Sequence, residues 1–204
     1  MSRLVEGIQA VAEAARTHAD ELNRLDAVAG DGDLGVTMAT AASAVHALLP
    51  DLKGKPPPEV LRACSLTVAR EAPSTAGTLV ASGLLRAATV WPTTGATPRV
   101  GAVLRAAASG IAERGKAEVG SKTMLDALVP AAEAAEQAGD DTSAALAAAA
   151  AAADAGASAT KDMTPRFGRA GWLAERSAGH EDAGARLIAI LLAAAVRAAT
   201  TSIC

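Results

Sequence analysis

The chain has 204 residues, half of them apolar and 20% charged, with a formal net charge of −3. This length and composition predict a single domain, residues 1–204, with a core of its own, and they exclude a disordered chain. Because no broad basic patch is implied, nucleic acid is not expected as a partner. With two Trp, one Phe and no Tyr, an alanine-rich core favours closely packed helices over a β-sandwich.

The N-terminal segment and the apolar runs bear on localisation. Residues 1–10 are amphipathic and carry Arg3 and Glu6, unlike the apolar core of a signal peptide. The longest apolar runs are alanine-rich and interrupted, so they do not predict a membrane span. A structural disulfide between Cys64 and Cys204 is not expected, because a chain end tends to fray. We therefore expect a soluble cytoplasmic protein without a membrane partner.

Apolar periodicity and breaker residues predict eight helices and no convincing strand. The clearest helix runs from Leu4 to Leu25, where apolar residues recur at alternating spacings of four and three. Prolines, glycines and capping residues bound the others. Those helices are expected at about 36–49, 58–71, 76–91, 99–113, 123–137, 142–155 and 183–200.

The connection between the last two predicted helices is long for a compact domain. It covers about residues 158–182 and contains Phe167, Trp172 and four basic residues. Connections of this length are usually functional or disordered, and aromatic anchors make disorder the weaker alternative. We interpret the segment as a lid or ligand-binding loop.

The most informative stretch is an acidic, glycine-rich loop between the first two predicted helices. Gly30, Gly32 and Gly35 spell G-x-G-x-x-G, which is typical of dinucleotide-binding folds. That interpretation fails because a helix precedes the motif where a strand is required. The intervening Asp31 and Asp33 would also repel a bare pyrophosphate.

The sequence matches two other ligand-binding motifs only in part. An EF-hand that began at Asp31 would have Ala42 at its twelfth position, where a bidentate Glu is required. The stretch Gly115–Thr123 resembles a P-loop, but Ser121 separates its glycine from its lysine and no strand precedes it. Neither motif is predicted.

Three carboxylates remain in the loop, Asp26, Asp31 and Asp33, at spacings i, i+5 and i+7. Hard oxygen ligands of this kind suit Mg²⁺, which often completes its shell with substrate phosphates. The loop leads into a helix N-terminus, whose N–H groups favour phosphate. The alternative is a solvated acidic turn, in which the Asp residues serve turn geometry.

Four sequence blocks resemble a known family. They are L-D-x4-G-D-G-D-x-G at Leu25–Gly35, a turn similar to A-S-G-x-L at Thr75–Leu79, a block similar to G-D-K-T-M-x-D at Gly120–Asp126, and one similar to G-R-A-S-Y-L-x-E-R-S-x-G-H-x-D-P-G-A at Gly168–Ala185. In this order they resemble the L subunit of bacterial dihydroxyacetone kinases and the equivalent nucleotide-binding domain of single-chain dihydroxyacetone kinases.

The resemblance implies an all-α fold, an eight-helix antiparallel barrel with a long lid loop before the last helix. Two Mg²⁺ ions would bridge the phosphates of ADP or ATP to Asp26, Asp31 and Asp33, and Arg169 would reach the phosphates from the lid as the catalytic residue. The residues implied to contact the nucleotide are Leu34, Gly35, Thr37, Thr75, Ala76, Gly77, Met124, Arg169 and Asp182.

Several positions depart from the family pattern. Leu34 and Thr37 stand where bacterial L subunits often have His and Asn, although single-chain kinases vary at the first position and often have Thr at the second. Ser121 replaces Asp, Ala183 replaces Pro, and Gly171–Trp172 replaces Ser-Tyr. The sequence is therefore compatible both with a permanently bound ADP and with an ATP that exchanges.

The resemblance also implies partners. A separate K subunit would hold the ketose, which is dihydroxyacetone or a related triose or tetrose, and an M subunit with a phosphohistidine would rephosphorylate ADP in some systems. The alternative function is a regulatory interaction protein whose ADP state is sensed by a transcription factor. A homodimer is also open. Among other polar residues, His18 is predicted in the core, Asp126 on a helix surface or as a cap, and His180 as a residue that orders the loop.

Overall fold

A computed structural model describes residues 3–91, 98–166 and 174–201. Within those ranges the chain is helical and has no strand, which confirms the predicted all-α class. The α-helices are α1 (Arg3–Thr17), α2 (Ala19–Ala29), α3 (Leu34–Leu48), α4 (Pro57–Glu71), α5 (Thr75–Ala87), α6 (Val100–Gly115), α7 (Leu125–Gln137), α8 (Thr142–Ala159), α9 (Ala174–Ser177) and α10 (Ala183–Thr201). Short 3-10 turns occupy Leu49–Leu52, Ala88–Val90 and Thr160–Asp162.

Eight of these helices form a closed ring. In order around the ring they are α1, α3, α4, α5, α6, α7, α8 and α10, and α10 packs back against α1. The short α2 packs mainly on α3. The ring agrees with the predicted eight-helix barrel, and each predicted helix corresponds to one helix of the ring. The difference is that the predicted first helix also includes most of α2.

The predicted first helix is in fact two helices, α1 and α2, which meet at a kink. His18 has φ −96° and ψ 13°, whereas a helical residue has ψ near −42°. The backbone bonds His18 N–H to Ala14 O and Leu22 N–H to His18 O, both 3.0 Å, are kept on either side. The apolar period therefore continues through the kink, so the sequence pattern did not reveal it.

His18 was predicted in the core, and this is wrong. Its side chain is 38% exposed, and Nδ1 lies 2.8 Å from Glu21 Oε2 in the first turn of α2. An imidazole on an otherwise apolar stripe can turn its polar edge towards solvent when a carboxylate lies three residues further along the helix.

Helix α10 is shared by two hydrophobic clusters. One cluster joins residues of α1 to α5 with Leu187 and Ile190, and the other joins α6 to α8 with Ile188 and Leu192. By length and composition α10 would also suit a membrane span, and 44% of that window is buried inside the fold. Its contacts with α1, α7 and α8 are those of a helix packed within the ring.

The alanine tract of α8 packs closely, as predicted. Ala145, Ala149, Ala153 and Ala157 are fully buried at a spacing of four, which places them on one face of the helix. A side chain at Gly156 would overlap the backbone carbonyl of Asp126 on α7. Small residues thus allow the two axes to approach.

The predicted long connection before the last helix contains the 3-10 turn at Thr160–Asp162 and the single turn of α9. Two backbone hydrogen bonds hold its described parts: Arg166 N–H donates to Ser121 O at 3.2 Å, and Gly179 N–H donates to Lys161 O at 3.1 Å. The predictions for Phe167, Arg169 and Trp172 lie outside the described residues, as does Cys204.

Candidate functional site

A cleft of about 1070 Å³ opens at one end of the helical ring. Its walls are the turn between α2 and α3, the first turns of α5, α7 and α10, and the last turn of α6. One wall carries carboxylates and another carries apolar side chains. A cleft of this size accommodates a nucleotide-sized ligand.

The three predicted metal ligands converge on the acidic wall. Asp26, Asp31 and Asp33 each offer a carboxylate oxygen, and these oxygens lie within 4.8 Å of one another. Asp26 is partly buried, whereas Asp31 and Asp33 are exposed. Oxygen ligands at such separations fit a divalent cation that also takes water or phosphate oxygens.

The geometry of the turn explains its glycines. Asp26 Oδ2 accepts the N–H groups of Gly32 at 2.8 Å and Asp33 at 3.1 Å, so the α2 side chain organises the turn that follows it. Gly32 has φ +78°, a conformation that side chains disfavour. A Cβ at Gly30 would overlap the Asp26 carboxylate. These two glycines let the chain fold back over Asp26.

The start of α3 differs from the prediction. Asn23 Oδ1 accepts the N–H groups of Gly35 at 2.7 Å and Val36 at 3.1 Å, and Thr37 N–H donates to Asp33 O. Two of the N–H groups that the sequence predicted to be free for phosphate are therefore already occupied by Asn23. A cap normally lies next to its helix, so the role of Asn23 was missed. The available signal was its position one turn before Asp26.

Two glycines predicted to contact the nucleotide serve helix packing instead of lining the cleft. A Cβ at Gly35 would overlap the carbonyl of Ala19, and one at Gly77 would overlap the carbonyl of Ala72. Both glycines are buried. Their absent side chains allow the first turns of α3 and α5 to approach neighbouring backbone.

The first turn of α5 forms a further part of the cleft wall. Ser74 caps this helix, since its Oγ accepts Gly77 N–H at 3.0 Å. Thr75 and Ala76 line the cleft. Because the first N–H groups of a helix have no acceptor within it, this turn suits an anion such as phosphate.

The apolar wall is formed by Leu79, Ile111, Met124 and Leu125. Met124 lies just before α7 and is almost fully buried. Asp126 was predicted on a helix surface or as a cap. It is not on the surface and does not hold the N-cap position, which is Met124; it is buried, 2% exposed, in the first turn of α7. Its carboxylate accepts the N–H groups of Gly120 and of Thr123 in the preceding loop, the latter at 2.7 Å. Asp126 thereby fixes the loop that presents Met124.

Lys122, in that same loop, was given no role by the sequence. It is buried, has φ +58°, and its Nζ donates to Ser177 O at 2.7 Å and Met163 O at 3.3 Å. Burial lowers the pKa of the ammonium, and the charges of Asp182 and Asp162 oppose that shift. Its place in the third sequence block was the available signal.

Asp182 lines the cleft at the start of α10. Its Oδ2 accepts Ala185 N–H at 2.7 Å, and its own N–H donates to Thr160 Oγ1 at 2.8 Å. Burial, aided by the charge of Asp126, raises the pKa of Asp182 to about 7, against the opposing effects of Ala185 N–H and Lys122. Asp182 is thus a carboxyl that changes charge near neutral pH.

His180, predicted to order the loop, is exposed at the rim of the cleft, and its backbone N–H donates to Ser177 O at 3.2 Å. The other predicted site residues divide into three groups. Gly35 and Gly77 pack against backbone, and Arg169 lies outside the described residues. The predicted residues that line the cleft are Asp26, Asp31, Asp33, Leu34, Thr37, Thr75, Ala76, Met124 and Asp182.

Comparison with known proteins gives a consistent family. The model of the DAK2 domain matches residues 28–197. The chain is 30% identical over 181 residues to the ADP-binding subunit DhaL of the PEP-dependent dihydroxyacetone kinase of Escherichia coli, covering 86% of each chain. It is 37% identical over 197 residues to D-erythrulose kinase of Mycolicibacterium smegmatis, covering 93% of this chain and 34% of that relative.

The fold is similar to that of a solved kinase. The native dihydroxyacetone kinase of C. freundii matches with a TM-score of 0.78 and 28% identity, covering 97% of this chain and 34% of that one. Its complex with AMP-PNP and Mg²⁺ matches with a TM-score of 0.76 and 27% identity. The chain thus spans about a third of these longer kinases and most of DhaL.

Proposed function

Because the chain belongs to the DAK2 domain family, with DhaL-type subunits among its relatives, we propose that it is the nucleotide-binding phosphotransferase subunit of a ketose kinase. It binds ADP or ATP through two Mg²⁺ ions held by Asp26, Asp31 and Asp33. The observation that carries the proposal is the convergence of these three carboxylates on one wall of a nucleotide-sized cleft.

The donor set fits a hard divalent cation, since it consists of carboxylate oxygens on a turn that its own hydrogen bonds hold in place. When bound, Mg²⁺ supplies charge neutralisation for the phosphates. The residues of the chain position the ligand. The first turn of α5 at Thr75 and Ala76 binds phosphate oxygens, and the apolar wall around Met124 receives the base.

Phosphoryl transfer depends mainly on positioning and on neutralisation of charge. As the family resemblance implies, Arg169 would reach the phosphates and add a bidentate donor. The ketose is held on a separate K subunit, which docks over the open mouth of the cleft and completes the site. The acceptor is dihydroxyacetone or a related triose or tetrose. The tetrose is supported by the likeness to a D-erythrulose kinase.

Two phosphoryl donors are compatible with the cleft. In one arrangement ADP stays bound and a phosphohistidine M subunit rephosphorylates it, which the likeness to a PEP-dependent, ADP-binding subunit supports. In the other, ATP exchanges at each turnover. Native mass spectrometry separates them, because retained ADP supports the first arrangement or a regulatory role through a transcription factor, and an empty site that binds ATP supports the second.

Calorimetry with Asp31→Ala tests the site directly. We expect loss of Mg²⁺-dependent ADP binding with unchanged helicity, because Asp31 is exposed and packs no core. Asp51→Ala is the matched control, since Asp51 is also exposed and does not line the cleft. ADP affinity that survives Asp31→Ala and stays dependent on Mg²⁺ contradicts the metal assignment.

A further inference from the structure

The turn that carries the three aspartates is held by two side chains of α2. Asn23 and Asp26 are three residues apart on this helix, so they point to the same side. Asp26 accepts two N–H groups from the turn itself, and Asn23 accepts two from the first turn of α3. Between them they accept four of the five N–H groups from Gly32 to Val36.

The capping arrangement of α3 is unusual. Asp33 occupies the N-cap position, but its side chain makes no capping hydrogen bond to the first turn. A carboxylate at this position ordinarily accepts the N–H of the second or third helical residue. Here Asn23, twelve residues earlier in the chain, accepts the N–H of Gly35 instead. Asn23 thus caps α3, and Asp33 contributes its carboxylate to the acidic wall of the cleft.

We infer that Asn23 is a positioning residue of the metal site, which fixes the start of α3 and with it Asp33 relative to Asp26. The inference rests on the proposed function. Asn23 does not line the cleft, so it acts on the ligand through the turn. Its amide also occupies two N–H groups that would otherwise attract phosphate, and this makes nucleotide binding at this wall depend on the cation.

Three variants separate positioning from simple capping. Asn23→Ala removes the acceptor. Asn23→Asp keeps an equally good capping oxygen. Asp141→Ala is the matched control, because Asp141 caps α8 by accepting Ala144 N–H at 2.8 Å and does not line the cleft. If Asn23→Ala does not fold, Asn23→Gln replaces it, since the longer side chain displaces the oxygen.

The measurement is ADP binding by calorimetry over a series of Mg²⁺ concentrations, with thermal unfolding of each variant. We expect Asn23→Ala to raise the Mg²⁺ concentration for half-maximal ADP binding by about tenfold or more, equivalent to about 1.4 kcal/mol. Asn23→Asp and Asp141→Ala should match the wild type. Asn23→Ala and Asp141→Ala should show similar small decreases in unfolding temperature, because each loses one cap.

The outcomes are distinguishable from failure of the proposed function. The proposed function is overturned if the affinity of the wild-type protein for ADP does not depend on the Mg²⁺ concentration. A Mg²⁺-dependent wild type combined with an unchanged Asn23→Ala overturns only the role of Asn23. The role is also overturned if Asn23→Asp loses as much as Asn23→Ala, because the capping oxygen would then not be what the site needs.

Discussion

The ammonium of Lys122 donates to the carbonyl of Ser177 at 2.7 Å, across 55 residues of sequence. The same ammonium reaches the carbonyl of Met163 at 3.3 Å. The loop that leads into Met124 is thereby joined to both described parts of the long connection before α10, the part that contains Met163 and the part that contains Ser177. Among the described residues the hydrogen bonds of the ammonium go to these two backbone carbonyls. Because a buried cation is costly to desolvate, these hydrogen bonds must be kept intact.

Lys122→Met should therefore destabilise the protein. The change keeps an apolar stem of similar length but leaves the two carbonyls without their charged donor, and bonds to charged groups contribute about 1.5–3 kcal/mol. Urea unfolding measures the loss in the free energy of unfolding. Lys161→Met is the control, since Lys161 is 49% exposed and its ion pair with Glu181 should contribute less than about 1 kcal/mol. Equal losses for the two variants would contradict this view.

Asp182 should make stability depend on pH. Its pKa is raised from 3.8 to about 7 in the folded chain, so folding favours the protonated carboxyl. The stabilisation is complete below 3.8 and is lost as the pH rises through about 7. Asp182→Asn cannot ionise and keeps an oxygen for Ala185 N–H.

The check is the difference between the unfolding free energies of wild type and Asp182→Asn across this pH range, without Mg²⁺ or nucleotide. We expect the wild type to lose stability relative to the variant as pH rises, with a slope that approaches about 1.4 kcal/mol per pH unit at most. Parallel curves would mean that the carboxyl ionises in the folded chain as it does in the unfolded one.

Much of the fold follows from periodicity. The predicted ends of the helices fall within a few residues of those observed, because prolines, glycines and caps act locally, as Pro57 does at the start of α4 and Asp141 at the start of α8. The kink at His18 was missed because the apolar stripe passes through it unchanged. The ring closes through α10 and α1, which are distant in sequence.

The candidate site was predictable only where its residues are close in sequence. Asp26, Asp31 and Asp33 share one short loop, so their convergence could be expected from spacing. Asn23 accepts N–H groups twelve and thirteen residues away, and Lys122 donates to a carbonyl 55 residues away. Such partners depend on tertiary packing. Gly35 looked like part of a nucleotide motif, yet the reason for glycine there is the carbonyl of Ala19.

Gly35→Ala should be severely destabilising. A Cβ at this position overlaps the Ala19 carbonyl, and backbone cannot give way as a flexible side chain can. Overpacking of this kind costs about 1–3 kcal/mol or more. Gly7→Ala is the matched control, since its Cβ meets nothing within 4 Å and Ala is favoured over Gly inside a helix. Thermal unfolding should therefore move in opposite directions for the two variants, and a neutral Gly35→Ala would contradict the close approach of α2 and α3.

Ser121 and Thr160 are both fully buried, but their hydroxyl groups differ in hydrogen bonding. Among the described residues, Ser121 Oγ has no hydrogen-bond partner. Thr160 Oγ1 donates to Ala157 O and accepts Asp182 N–H at 2.8 Å. Ser121→Ala should therefore be neutral or stabilising, because it removes a desolvated polar group that gains nothing. Thr160→Val should cost about 1–3 kcal/mol, because it leaves its partners unsatisfied.

Chemical denaturation of both variants measures these differences, with Ser65→Ala as a reference for a buried serine whose hydroxyl is satisfied by Ala81 O at 2.7 Å. Ser65→Ala should destabilise the protein, as Thr160→Val should, because the carbonyl of Ala81 then loses this hydrogen-bond donor. A Ser121→Ala variant that is destabilised as much as Ser65→Ala would show that the Ser121 hydroxyl has a partner in solution, such as an ordered water.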